Sequence, residues 1–129
     1  MKRNFFTIIL LAFTFSTILF SCKKKSNSII VEYRISPINN SITKITYNDI
    51  TGAPVIITNP AQFGTGSTFV SIKALPYTAK ISIEVNNQTI SSIVYDLRIL
   101  VNGQIMKLES GVALPMSAST ILSAEYVVQ

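Results

Sequence analysis

The sequence predicts an all-β domain, an antiparallel β-sandwich of seven to eight strands that follows an N-terminal signal helix. From Ile29 onward, apolar and polar residues alternate with the period of two that is typical of half-buried strands. Short clusters of Asn, Gly and Pro separate these runs, and no stretch keeps helical spacing for long. The chain of 129 residues is long enough for one small domain.

The first 21 residues have the layout of a secretory signal peptide. Basic residues at positions 2 and 3 precede an uncharged apolar run of 16 residues, Phe5 to Phe20. A membrane-spanning helix needs about 20 residues, so this run is short for a permanent anchor. We therefore expect residues 1–21 to be removed from the mature protein.

The residues that end this run resemble a bacterial lipobox, Leu19-Phe20-Ser21-Cys22, in which the cysteine is diacylated before the signal peptidase cuts in front of it. Cys22 is the only cysteine of the chain, and an unpaired thiol in an exported protein is a hazard unless it is modified. We expect acyl chains on Cys22 to anchor the protein to a membrane. The alternative is an uncleaved anchor in the inner membrane.

Residues 22–28 form the predicted tether, the lipidated cysteine followed by three lysines and polar residues. No aspartate follows Cys22, so the inner-membrane retention signal of enterobacterial-type lipoproteins is missing. In Bacteroidota-type lipoproteins, which this N-terminus resembles, acidic residues after the cysteine accompany surface export. The lysines therefore favour the periplasmic face of the outer membrane, with the cell surface or the inner membrane as alternatives.

Residues 29–129 form the predicted sandwich domain. Its first strand turns Val31, Tyr33 and Ile35 inward and leaves the residues between them to solvent. The same alternation predicts a fourth strand that buries Val70, Ile72 and Ala74, and Pro54 marks an edge or a strand start. After the first strand, the predicted strands cover residues 43–48, 54–58, 68–75, 79–86, 93–101, 104–109 and 119–128.

The strongest local signal is Asn102-Gly103, because this pair supplies the positive φ angles of a two-residue type I′ hairpin turn. Such a turn predicts the register of the strands that flank it. The predicted pairs are Val101 with Gln104, Leu100 with Ile105, Ile99 with Met106, Arg98 with Lys107, Leu97 with Leu108 and Asp96 with Glu109. Met106 and Leu108 would then face the core.

Four stretches resemble, in their order, the landmarks of small MmpS-like lipoproteins: Tyr33-Arg34-Ile35, Ile45 to Gly52, Leu75-Pro76-Tyr77 and Asp96 to Gln104. In that family a similar strand pair, a Leu-Pro-aromatic step and an Asn-Gly or Asp-Gly hairpin recur on a β-sandwich. The resemblance spans residues 31–128 and implies an Ig-like sandwich. Because mycobacterial members assist large lipid-exporting transporters, it also implies an accessory role beside a membrane transporter of the resistance-nodulation-division (RND) type.

The net charge of +5 comes entirely from five basic residues before residue 26. From Ile29 onward, six basic residues balance six acidic ones. Nucleic-acid binding needs a concentrated basic face, so we expect no nucleic-acid partner.

The composition argues against most enzyme chemistry. The chain has no histidine and one cysteine, which excludes a Ser-His-Asp triad, a Cys-His pair and a His- or Cys-based zinc site. The alternation places Glu32, Glu84, Asp96 and Glu109 on solvent faces beside basic residues, and Asp49 suits an Asx turn better than a calcium site. We expect a protein without catalytic residues, cofactor or metal.

Phe63 and Tyr77 lie in or beside predicted loops, where they are candidate contacts for a ligand or partner, although burial in the core is the favoured interpretation for each. The function that follows is a non-enzymatic envelope lipoprotein whose sandwich binds a partner through loops or by strand addition at an open edge. The alternative is the transporter accessory subunit that the family resemblance implies.

Overall fold

The computed structural model describes residues 28–129 and confirms the predicted fold class. Eight strands form two antiparallel sheets of four, and one short 3-10 turn covers Pro60–Phe63. No helix within this range has the length and apolar character that a membrane crossing requires. The strands are β1 (Ile29–Ser36), β2 (Ile42–Asn48), β3 (Pro54–Ile57), β4 (Ser67–Ile72), β5 (Tyr77–Asn87), β6 (Ile93–Val101), β7 (Gln104–Ala113) and β8 (Ser117–Val128).

The first sheet has the strand order β4-β1-β6-β7 and the second has the order β3-β2-β5-β8. Pro54 begins β3, an edge strand, as its missing N–H requires. The strand directions place Ile29 at one end of the sandwich, with the turns 49–53, 73–76 and 102–103. Loops 37–41, 88–92 and 114–116 lie at the opposite end, which we call the distal end.

The predicted alternation builds the core between the sheets. In β5 every second residue from Tyr77 to Asn87 is buried, and Val31, Tyr33 and Ile35 of β1 are buried as expected. The predicted burial of Ala74 is wrong. Strand β4 already ends at Ile72, and Ala74 is exposed where the chain crosses to the second sheet.

Two tyrosines connect the core to the turn after β2. The hydroxyls of Tyr33 and Tyr77 lie 2.9 Å apart and both donate to the carbonyl oxygen of Asn48, at 3.1 and 2.9 Å. The Tyr77 hydroxyl also lies 2.8 Å from the carbonyl oxygen of Asp49. Burial raises the pKa of both tyrosines above the ordinary 10.0. The pair therefore holds the 49–53 turn against the sandwich.

The predicted hairpin register is correct only next to the turn. Val101 pairs with Gln104 and Leu100 pairs with Ile105, but Ile99 pairs with Lys107. Met106 is therefore the extra residue of a β-bulge, and every later pair is shifted by one residue. The predicted pairs of Ile99 with Met106, Arg98 with Lys107, Leu97 with Leu108 and Asp96 with Glu109 are wrong.

The bulge reverses the two faces of β7. Lys107 and Glu109 lie opposite the core residues Ile99 and Leu97, whereas Met106 and Leu108 are exposed instead of inward. The reversal brings Gly111 to the inner face, where an added Cβ atom would lie 2.0 Å from a methyl carbon of Leu122 on β8. The glycine lets the two edge strands approach each other, and the inward charges protect β7 against pairing with other strands.

Candidate functional site

The predicted lipidation site, Cys22, and the lipobox residues Leu19, Phe20 and Ser21 lie outside the described residues. The sandwich begins at Ile29, so all eight of its strands follow the predicted cleavage point. Removal of residues 1–21 would therefore take away none of these strands.

The two candidate contact residues, Phe63 and Tyr77, both lie in the hydrophobic core. Phe63 is 3% exposed and packs edge-on against the ring of Tyr47, with 6.0 Å between ring centroids. Tyr77 is 6% exposed, and its hydroxyl donates a hydrogen bond to the carbonyl oxygen of Asn48, where β2 ends. Neither side chain is therefore available as an exposed aromatic contact, and the favoured interpretation of core burial is confirmed for both.

The six carboxylates of the domain each have a local role. Asp49 forms the expected Asx turn, because its Oδ1 accepts from the N–H groups of Thr51 and Ala53, and the hydroxyl of Thr51 holds its pKa below the usual range. The other five form ion pairs, Glu32 with Arg34, Glu84 with Lys44, Asp96 with Arg98, Glu109 with Lys107 and Glu125 with Lys80. Residues 28–129 contain no cluster of potential metal ligands.

Two carboxylates differ from the expectation that Glu32, Glu84, Asp96 and Glu109 are exposed on solvent faces. Glu32 is on the outer face of the first sheet but is only 6% exposed, and it binds the guanidinium of Arg34 through both carboxylate oxygens. Glu109 faces the second sheet because of the bulge in β7. Both remain beside a basic residue, as expected.

A buried amide organises the distal end of the sandwich. The Asn87 side chain is fully buried and its Nδ2 donates to the carbonyl oxygens of Ser91, Ala113 and Leu114, at 2.8, 3.0 and 3.1 Å. Its Oδ1 accepts from the N–H and the hydroxyl of Thr89, at 3.0 and 2.7 Å. One side chain therefore joins the loop between β5 and β6 to the loop between β7 and β8.

These two joined loops present three large apolar side chains to solvent. Ile90 is 91% exposed, Met116 67% and Leu114 62%. The N–H of Met116 donates to the carbonyl oxygen of Thr89 at 3.2 Å, which holds the loops together near their tips. We call Ile90, Leu114 and Met116 the distal surface.

The two adjacent asparagines at 86 and 87 predict a turn there, but β5 continues to Asn87 and the turn follows it. The sequence pattern does not identify the distal surface. The available signal was an apolar residue, Ile90, inside the otherwise polar stretch from Asn86 to Ser92. Leu114 and Met116 flank Pro115 in the stretch between the predicted strands 104–109 and 119–128. Only the fold brings these three residues to the same end of the molecule.

No protein-family model matches the chain, and no curated protein is significantly similar to it. The likeness to MmpS-like lipoproteins remains a prediction from the sequence.

Proposed function

We propose that this protein is a lipid-anchored lipoprotein of the cell envelope whose β-sandwich binds a partner protein through the distal surface. The observation that carries the binding role is a set of three exposed apolar side chains on loops that a buried amide fixes. Exposed apolar groups cost solubility, and on a rigid scaffold they are typical of recognition loops.

The predicted lipid anchor would orient the domain so that the distal surface is accessible to a partner. Acylated Cys22 would connect to Ile29 through at most about 25 Å of extended chain, so the end of the sandwich that carries Ile29 would face the bilayer. Strand β1 has eight residues and separates that end from the distal end by roughly 26 Å. The distal surface would therefore point away from the membrane, toward a partner in the periplasm.

The anchor is tested by the intact mass of the protein extracted from membranes. We expect the wild-type chain to lack residues 1–21 and to carry the added mass of acyl chains on Cys22. A Cys22→Ser variant should not be processed to this species, and cell fractionation should show that it is lost from the outer membrane. An uncleaved, unacylated wild-type chain would instead show that Phe5 to Phe20 is a membrane anchor and that the lipobox assignment is wrong.

The binding surface is tested by site-specific photo-crosslinking in intact cells. A photoreactive phenylalanine analogue at Ile90 should give a discrete crosslinked product. The same analogue at Ile121, which is 68% exposed on the edge strand β8, is the matched control and should not. Mass spectrometry of the product identifies the partner. If the partner is a transporter of the RND type, the result supports the accessory role.

Crosslinking at Ile121 but not at Ile90 would contradict the distal surface and favour strand addition at the β8 edge. Equal products at both positions would indicate contact without a defined interface, which also contradicts the proposal.

A further inference from the structure

A second surface, on the outer face of the first sheet, has a different chemistry. A cleft of about 420 Å³ lies across β4, β1 and β6 and extends to the loop at Gly66. The strand register places Arg34 opposite Arg98, and Glu32 between Phe69 and Leu100. We call this the sheet-face cleft. Its volume lies within the about 300–1,000 Å³ of small-ligand sites.

The two arginines are held by carboxylates of their own strands. Arg34 donates from Nε and Nη2 to the two oxygens of Glu32, and Arg98 donates from Nη2 to Asp96 at 3.1 Å. The hydroxyl of Ser110 donates to the other oxygen of Asp96 at 2.6 Å and holds the pKa of this carboxyl below its usual range. Like charges opposite each other destabilise a sheet, so these two carboxylates are needed to keep the arginines together.

The cleft is therefore polar but has no net charge, with two guanidinium groups and two carboxylates. Within residues 28–129, Nε and Nη1 of Arg98 and Nη1 of Arg34 form no hydrogen bond, so their N–H groups can donate to a ligand. Phe69 stands at the rim on the edge strand β4, and its side chain is 64% exposed. An exposed aromatic ring thus lies next to fixed hydrogen-bond donors and acceptors.

These features favour an uncharged ligand that is rich in hydroxyl groups. A strong anion would meet Glu32 and Asp96 as well as the arginines, and a wholly apolar ligand would strip water from the guanidinium groups without replacing their hydrogen bonds. Sugar hydroxyls accept hydrogen bonds from guanidinium groups and donate them to carboxylates, and the C–H face of a sugar ring is apolar enough to cover Phe69. We infer that the sheet-face cleft binds a neutral glycan.

The test is a titration of the full-length protein, purified in a detergent without sugar groups such as lauryldimethylamine oxide. The probes are three neutral oligosaccharides, maltotetraose, cellotetraose and the tetramer of N-acetylglucosamine. We expect at least one to bind and to shift the amide NMR signals of the cleft residues on β4 and β1. Tetragalacturonate, which has acid groups on a comparable sugar chain, should bind more weakly.

Two variants locate the binding. Phe69→Ala and Arg98→Ala should each weaken binding of the responsive oligosaccharide by about tenfold or more, as expected for side chains that supply a large share of the binding energy. Ile121→Ala removes a side chain of similar exposure from the other sheet and should leave the affinity unchanged. Urea unfolding of each variant shows that the fold is kept.

Three results would overturn the inference. They are the absence of binding by all three neutral probes, tighter binding of tetragalacturonate than of any of them, and binding that Phe69→Ala and Arg98→Ala leave unchanged. None of these results bears on the lipid anchor or on the distal surface, because the sheet-face cleft shares no residue with either.

Discussion

Replacing Asn87 with Asp should destabilise the sandwich by about 3 kcal/mol or more, although the two side chains have nearly the same shape. A carboxylate cannot donate to the carbonyl oxygens of Ser91, Ala113 and Leu114, all of which now accept from the Asn87 amide. The substitution also puts a charge at a position with no solvent exposure. Urea unfolding followed by circular dichroism measures the loss.

Asn40→Asp is the matched control for this prediction. Asn40 is exposed in the loop between β1 and β2 at the same end of the sandwich. The same change of amide to carboxylate should alter the free energy of unfolding by less than about 0.5 kcal/mol there. If Asn87→Asp is no more damaging than Asn40→Asp, the buried amide does not hold the distal loops.

Gly66→Ala should cost about 2 to 3 kcal/mol of folding stability. Gly66 has a φ of +98°, which side chains rarely adopt, and an added Cβ would lie 2.6 Å from the carbonyl oxygen of Ile35. The backbone cannot easily move away, because the N–H of Ile35 donates to the carbonyl oxygen of Gly66 at 2.8 Å. The midpoint of urea unfolding is the measurement.

Gly52→Ala separates the cost of the positive φ from the cost of the close contact with Ile35. Gly52 has a similar φ of +83°, but no atom lies within 4 Å of the added Cβ. The Gly52→Ala variant should therefore lose only the folding stability that a positive φ costs an alanine, about 1 kcal/mol. Equal losses for Gly52→Ala and Gly66→Ala would show that the close approach at Ile35 relaxes without cost.

The fold class could be predicted because strand patterns are local. In β5 the side chains alternate between core and surface over 11 residues, so the sequence itself shows which face is buried. Asn102-Gly103 likewise determines its own turn, since the φ values of +50° and +83° are those that the residue pair favours. Both predictions depend only on residues close together in the chain.

The faces of β7 could not be predicted in this way. Ile105 and Met106 are adjacent and both apolar, so the sequence allows either alternation after the turn. The choice depends on β8, because Leu122 fills the space that only an inward Gly111 leaves open. That contact joins residues from different sheets, and no local pattern contains it.

The same distinction between local and long-range contacts applies to the candidate surfaces. The sequence by itself determined the strands, the hairpin turn and the neutral charge of the domain, because each depends on neighbouring residues or on composition. The lipid anchor stays a prediction from the sequence. Only the tertiary structure decided that Phe63 and Tyr77 are buried, that Ile90 joins Leu114 and Met116, and that Arg34 lies opposite Arg98. Strand order brings distant segments together, and burial depends on which segments meet.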